Sequence, residues 1–206
     1  MELLDDTIVP EHAREVKAEA RAFADEHIAP NAEERFREGE YPWEILEAGM
    51  DAGLVAQDIS EEYGGKGYDL AQILAIAEEF YRADAGIALT LQLASFGCEM
   101  VEQYGSEEQK EEYLRPVAEN DQISGLAVSE PETGSDLAGM TTSAEKVEGG
   151  YEITGEKYWV GNAVEADWLT VYVKTGDAED RYSNYSMFIV ETDRDGYEAE
   201  HIPEKM

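Results

Sequence analysis

The stretch LAVSEPETGSDLAG, residues 126–139, marks the point where the chain changes from one sequence pattern to another. Its Glu130-Pro131 pair requires an extended entry, and Gly134-Ser135-Asp136 permits a sharp bend. Such a turn can direct backbone N–H groups outward, toward carbonyls or phosphates of a bound group. Ser129 and Ser135 add hydroxyl groups to the same turn. The pattern alone is equally compatible with a structural turn.

Upstream of this stretch, apolar residues recur at the three- and four-residue spacing of helices. Three helices are predicted in this way. The first has Ala13, Val16, Ala20, Phe23 and His27 on one face and ends at Pro30. The second has Trp43, Leu46 and Met50 on one face, and the third has Leu70, Ile73, Ala77 and Phe80. Residues 85–98 carry no charge, which predicts a helix buried on nearly all sides. The glycine-rich residues 63–67 predict a loop, for which a plain turn is favoured over a phosphate cradle.

A capping box at Ser106 and Gln109 predicts one more helix, which runs to about Ala118. After it the pattern becomes that of β-strands, at residues 124–128, 168–174 and 185–190. A hairpin is predicted from residues 143–148 and 151–155 around Gly149-Gly150. Residues 197–202 would form a last strand with an open edge.

Helices first and strands second indicate an α+β protein. We expect a helical domain over residues 1–120 and an antiparallel β-barrel or sandwich over residues 121–206. Four or five strands are few for such a domain, so the β domain looks incomplete.

Charge narrows the classes of function. The chain of 206 residues has 48 acidic and 15 basic residues and a formal net charge of -33. This charge argues against binding to nucleic acid or to anionic lipid. The acidic residues are spread along the whole chain, which predicts adaptation to high salt, with a merely acidic protein as the alternative.

The single cysteine, Cys98, excludes an intrachain disulfide and is expected in the core. His12, His27 and His201 lack the spacing of metal ligands, so no metal site is predicted. No secretion signal or membrane span is recognised, and a cytoplasmic location is expected.

A second segment, GEKYWVGN, covers residues 155–162. Its Trp159 is followed closely by a glycine, an arrangement that lets a flat ring approach the backbone. Taken alone, Trp159 would be interpreted as a core residue.

Together the two segments resemble the acyl-CoA dehydrogenase family of flavoproteins. Residues 129–136 are similar to its Ser/Thr-Glu-Pro-x-x-Gly-Ser-Asp signature, and residues 157–162 to its Lys-x-Trp-Ile-Thr/Ser-Asn signature. Residues 104–114 and 167–172 also resemble family segments. The order and spacing agree over essentially the whole chain.

The resemblance implies a helical domain, a middle β domain and a C-terminal four-helix domain, assembled as a homotetramer that binds FAD. The residues that it assigns to the cofactor are Leu126, Ala127, Val128, Ser129, Gly134, Ser135, Trp159, Val160 and Gly161. Ser129 would hydrogen-bond the flavin ring, Ser135 would lie where FAD and the acyl-CoA substrate meet, and Trp159 would pack against the isoalloxazine.

The family reaction is α,β-dehydrogenation of an acyl-CoA thioester, with electrons passed on to an electron-transfer flavoprotein. A glutamate removes the α-proton in this reaction. It is expected in the C-terminal domain, which this sequence lacks, so no catalytic residue is assigned here. A complementing C-terminal chain is therefore a possible partner.

Gly161 departs from the family pattern, because Thr or Ser usually stands there. The sequence leaves two alternatives to the dehydrogenase function open. One is a non-catalytic binding or assembly module on the same scaffold, and the other is a family variant with oxidase-type chemistry.

Overall fold

A computed structural model describes residues 8–176 and 183–202. The chain divides after Gln122 into two compact units. The first unit is helical and the second contains a single sheet, so the predicted α+β class is confirmed.

Seven α-helices are described in the first unit. They are α1 (Glu11–Phe23), α2 (Ala32–Glu38), α3 (Trp43–Asp51), α4 (Leu70–Ala83), α5 (Ala85–Gln92), α6 (Cys98–Tyr104) and α7 (Glu107–Ala118). A π-helical turn, Ala24–Ile28, continues α1. Within residues 8–176 and 183–202, none of these helices combines the length and apolar character needed to cross a membrane.

Helix α1 packs against α4 through the apolar face that the sequence predicts. Ala13, Val16, Ala20 and Phe23 are all buried. Two helix starts carry complete capping boxes, at Asp69 with Gln72 for α4 and at Ser106 with Gln109 for α7. Side chains accept hydrogen bonds from three backbone N–H groups at the start of α4 and from two at the start of α7, groups that the helices themselves leave unbonded.

The uncharged residues 85–98 do not form the single buried helix expected from the sequence. Helix α5 ends at Gln92, and α6 begins only after Gly97, whose φ of 100° no α-helix accommodates. Leu89 and Phe96 are 48% and 38% exposed, respectively. The prediction that this uncharged stretch is buried on nearly all sides is therefore wrong. Cys98 is buried, as predicted.

The glycine-rich residues 63–67 lie in a tight turn, which confirms the predicted loop. A Cβ atom on Gly65 would lie 1.9 Å from the carbonyl oxygen of Ile59. Gly64 has a φ of 95°, in the left-handed region. The turn is thus folded onto its own backbone.

The second unit holds strands β1 (Ser124–Ala127), β2 (Ser143–Val147), β3 (Gly150–Thr154), β4 (Trp168–Thr175) and β5 (Tyr185–Glu191). β4 is central. β5 pairs along one of its edges, while β1 and then β2 pair along the other. β3 extends the sheet as the hairpin partner of β2.

The expectation of a purely antiparallel β domain is corrected, because β1 and β2 both run parallel to β4. The connections that precede β4 are long enough for such crossovers, and chain order alone does not reveal pairing direction. The predicted hairpin is present, but its turn is Glu148-Gly149, and Gly150 belongs to β3. Residues 197–202, predicted as a last strand, form no strand.

Candidate functional site

The loop that carries the first motif lies between β1 and β2. The last residue of β1, Ala127, pairs with Val171 of β4, and the first residue of β2, Ser143, pairs with Lys174. Residues 128–142 therefore leave the sheet and return to it at a point only three residues farther along β4. We call this excursion the signature loop.

Glu130 anchors the signature loop from inside. Its side chain is buried and accepts hydrogen bonds from the backbone N–H groups of Thr141 and Thr142 at 2.7 and 2.9 Å and from the Thr141 hydroxyl at 2.8 Å. Its backbone exchanges hydrogen bonds with Thr133 at 2.8 and 3.2 Å, which closes the turn over Pro131. One carboxylate thus ties the beginning of the loop to its end.

Lys157 links this anchor to the second motif. Its ammonium group lies 3.0 Å from Glu130 Oε1 and donates a further hydrogen bond to the Val128 carbonyl at 3.0 Å. Both side chains of the ion pair are at least nine-tenths buried. Such a pair is stabilising only when its remaining lone pairs and protons are satisfied, and here the threonines and Val128 provide those partners.

The ionisation of the pair follows from these contacts. Burial raises the pKa of Glu130, but the hydrogen bonds from Thr142 and Thr141 outweigh burial and lower it to about 2. Burial lowers the pKa of Lys157, and the Glu130 carboxylate opposes that shift. Because Glu130 is held as a fully bonded anion, it is a structural group and not a proton acceptor for chemistry.

The second motif packs beside β1. The N–H of Tyr158 donates to the Ser129 carbonyl at 2.8 Å, which joins the two motifs directly. A Cβ on Gly125 would come within 3.0 Å of the Gly161 carbonyl oxygen, so glycine at position 125 allows this approach. Gly155 is required for a similar reason, since its Cβ would meet Thr142 at 2.5–2.7 Å.

Trp159 presents its ring to the outside of the unit. The side chain is 66% exposed, and its φ of 59° lies in the left-handed region that residues other than glycine rarely occupy. The ring meets Tyr158 edge-on, with 4.9 Å between centroids. The core interpretation of Trp159 is therefore wrong. A large, flat, apolar ring held outward suits stacking on a planar ligand.

The nine predicted cofactor residues lie in two neighbouring segments of this unit. Leu126 and Ala127 belong to β1, with Ala127 buried. Val128 and Ser129 are half-buried, while Gly134 and Ser135 are exposed. Val160 and Gly161 are half-buried beside the exposed Trp159. Their proximity makes a common binding surface possible, but their assignment to FAD stays a prediction.

The residues that hold this surface together were not predicted from the sequence, namely Glu130, Thr141, Thr142, Lys157 and Asn162. An acid within one motif and a lysine within the other was a signal that could have suggested the ion pair. Asn162 has a φ of 62°, and its carbonyl accepts from the N–H groups of Glu165 and Ala166. No local sequence pattern predicts the turn at residues 162–166.

Comparisons with known proteins agree over both units. Family models described as "Acyl-CoA dehydrogenase, N-terminal domain" and "Acyl-CoA dehydrogenase, middle domain" match residues 10–121 and 125–206, respectively. The chain is 33% identical over 210 residues to isovaleryl-CoA dehydrogenase, mitochondrial, of Arabidopsis thaliana, covering 99% of this chain and 49% of the relative. It is 34% identical over 189 residues to a probable acyl-CoA dehydrogenase of Mycobacterium leprae, covering 92% of this chain and 48% of the relative.

Solved structures show the same likeness. A glutaryl-CoA dehydrogenase of Mycobacterium smegmatis in complex with FADH2 superposes with a TM-score of 0.88 at 29% identity, over 98% of this chain and 50% of that one. Butyryl-CoA dehydrogenase of Megasphaera elsdenii gives a TM-score of 0.81 at 29% identity, over 91% and 49%. The chain thus spans about half the length of the relatives that it matches.

Proposed function

The chain belongs to the acyl-CoA dehydrogenase family, and from that premise we propose that its second unit provides one wall of an FAD site for the oxidation of acyl-CoA thioesters. The observation that carries this proposal is the outward-facing Trp159 ring beside the signature loop. An exposed aromatic ring on a strained backbone is typical of a binding function, because folding alone does not favour either feature.

The residues present fit a flavin. The Trp159 ring offers an apolar face for the isoalloxazine, and Ser129 and Ser135 offer hydroxyl groups for its polar edge or for phosphate oxygens. Bound FAD would supply the two-electron redox chemistry. This chain's part is to orient the ring system and to exclude water from one of its faces.

Trp159→Ala tests the flavin wall. We expect the dissociation constant for FAD, measured by quenching of flavin fluorescence in concentrated KCl, to rise by about tenfold, because a stacked aromatic pair and its buried area contribute roughly 1–2 kcal/mol. Trp43→Ala is the matched control, since Trp43 is also partly exposed but lies on α3 of the helical unit. Equal FAD affinity for the two variants would remove the proposed role of Trp159.

The complete activity needs a group that accepts the α-proton, and no residue described in this structure is assigned that role. We propose that the α-proton acceptor is a glutamate of a C-terminal half, present on a complementing chain or on a longer form of this protein, in a homo-oligomeric assembly. Acyl-CoA would be the substrate and an electron-transfer flavoprotein the electron acceptor. Neither Glu130, held as an anion by four polar contacts, nor any other glutamate of the described residues is proposed for that role.

Turnover assays separate the alternatives. With a complementing half, acyl-CoA-dependent reduction of an electron-transfer flavoprotein supports the dehydrogenase, whereas oxygen consumption without that acceptor supports an oxidase-type variant. Gly161 is the observation that favours the oxidase-type variant, because it supplies a backbone N–H without a side-chain hydroxyl. FAD binding with no turnover of any kind would support an assembly module.

Salt dependence follows from the distribution of charge. At least eight of the fifteen basic residues are already engaged in ion pairs, namely Lys17, Arg21, Arg35, Arg37, Arg82, Lys110, Arg115 and Lys157. The 48 acidic residues outnumber the 15 basic ones by more than three to one, so basic side chains cannot neutralise most of the negative charge. The mutual repulsion of the acidic residues is relieved only by counter-ions.

We propose a salt-adapted surface, and we expect the thermal midpoint to rise between dilute buffer and molar KCl. Relief of roughly 2 kcal/mol of repulsion would raise it by about 4–8 °C in a chain of this size. A variant with exposed glutamates such as Glu15 and Glu19 changed to Gln should show a smaller rise. An unchanged midpoint in the parent chain across this range would contradict salt adaptation.

A further inference from the structure

A strap of residues 192–201 follows β5 and lies against the residues that carry the candidate flavin wall. We refer to residues 159–166 as the Trp159 loop. The Thr192 hydroxyl donates to the Ala166 carbonyl at 2.6 Å, and the Tyr197 hydroxyl donates to the Ala163 carbonyl at 2.5 Å. Farther along, His201 Nε2 lies 3.6 Å from Glu165 Oε1. The strap thus meets the loop at three points.

The Trp159 loop needs such support because its backbone is strained. Trp159 and Asn162 both have positive φ angles, 59° and 62°. Conformations of this kind persist only where surrounding contacts hold them. The loop's own bonds, from Glu165 and Ala166 to the Asn162 carbonyl, close only its second half. Of the three strap contacts, that of Tyr197 lies nearest to Trp159 in sequence.

Tyr197 is itself well placed to act as a brace. Its N–H donates to the Arg194 carbonyl at 3.1 Å, which closes a turn through Gly196 at a φ of 89°. This turn limits where the phenol can lie. Burial raises the pKa of Tyr197 above its ordinary value, which favours the protonated hydroxyl that donates to Ala163.

We propose that Tyr197 is a positioning residue for the flavin site, which holds the Trp159 loop in its strained form through the bond to Ala163. The inference rests on the proposed function, because the loop's stacking role is part of that function. Tyr197 acts through the loop, and contact between its own side chain and the flavin is not required.

Tyr197→Phe removes the hydroxyl and keeps the ring, so it isolates this bond. We expect amide hydrogen exchange at residues 159–163 to accelerate about threefold to tenfold, the factor that corresponds to loss of one hydrogen bond. The FAD dissociation constant should rise by a similar factor, with little change in the thermal midpoint. Tyr151→Phe is the control, since Tyr151 is an exposed tyrosine of β3 in the same unit, with its ring against Phe188.

The outcomes distinguish the two proposals. Unchanged exchange at residues 159–163 in Tyr197→Phe overturns the brace. Faster exchange with unchanged FAD affinity, in a parent chain that binds FAD, overturns the positioning role and leaves the flavin site standing. A parent chain that binds no FAD, alone or with a complementing half, overturns the flavin site and the positioning role together. If Tyr197→Phe shows faster exchange and weaker FAD binding and Tyr151→Phe shows neither, both the flavin site and the positioning role of Tyr197 are supported.

Discussion

Replacing Glu130 with glutamine is expected to lower the free energy of unfolding of the second unit by about 3–5 kcal/mol. The change leaves the Lys157 ammonium buried without its counter-charge, and it removes the anionic acceptor that binds Thr141 and Thr142. The signature loop then loses the contact that ties its beginning to its end. Denaturant unfolding followed by circular dichroism measures the loss.

The same carboxylate makes stability depend on pH. The pKa of Glu130 is about 2 in the folded protein, against 4.5 for an ordinary glutamate. A group whose folded pKa is depressed stabilises the fold above its unfolded pKa. That contribution, roughly 3 kcal/mol, is therefore complete above pH 4.5 and is lost as the pH falls from 4.5 toward 2.

Glu130→Gln should remove this part of the acid sensitivity. The difference in unfolding free energy between the parent and Glu130→Gln is expected to shrink steadily as the pH falls from 4.5 toward 2. Glu132→Gln is the matched control, since Glu132 is exposed two residues away and changes the net charge equally. A control variant as unstable as Glu130→Gln would show that charge, and not the buried pair, is responsible.

The second large effect is expected from Glu79→Gln in the helical unit. Glu79 has no solvent exposure, and both of its oxygens accept from Arg21 at 2.9 Å. Arg82 donates to it at 2.9 Å as well, and Lys17 lies 3.8 Å away. This carboxylate joins α1 to α4 by charge as well as by packing.

Neutralising Glu79 leaves the side chains of Lys17, Arg21 and Arg82 facing a neutral amide at a position that has no solvent exposure. We expect a loss of about 3–5 kcal/mol in the unfolding free energy of this unit. Glu19→Gln, on the exposed face of α1, makes the same change in net charge and is expected to alter stability by less than about 0.5 kcal/mol. A loss below about 1 kcal/mol for Glu79→Gln would mean that apolar packing alone holds α1 on α4.

Local signals in the sequence predicted much of the helical unit correctly. Ser106 and Gln109 identified the start of α7, because a capping box involves residues only three positions apart. The apolar face of α1 followed from its spacing for the same reason. The break at Gly97 was missed, since an uncharged run can continue a helix or end one and only the φ of 100° decides.

The sheet shows the opposite case. Strand positions were predicted from composition, but the parallel pairing of β1 and β2 with β4 was not. Pairing direction depends on the route of the connections, which no short pattern encodes. The outward direction of Trp159 belongs to the same class, because neither its positive φ nor its exposure follows from the types of the neighbouring residues.

By itself the amino-acid sequence determined the α+β class, the capped start of α7, the acidic character and the two motifs. Each of these depends on residue types or on spacings of a few positions. Only the tertiary structure decided that the motifs meet, through the Tyr158–Ser129 and Lys157–Glu130 contacts across 27 or more residues. It also decided that the Tyr197 hydroxyl donates to the carbonyl of Ala163, 34 residues earlier in the chain. Such contacts depend on how the whole sheet pairs, and hydrogen-bond partners distant in sequence leave no local periodicity to detect.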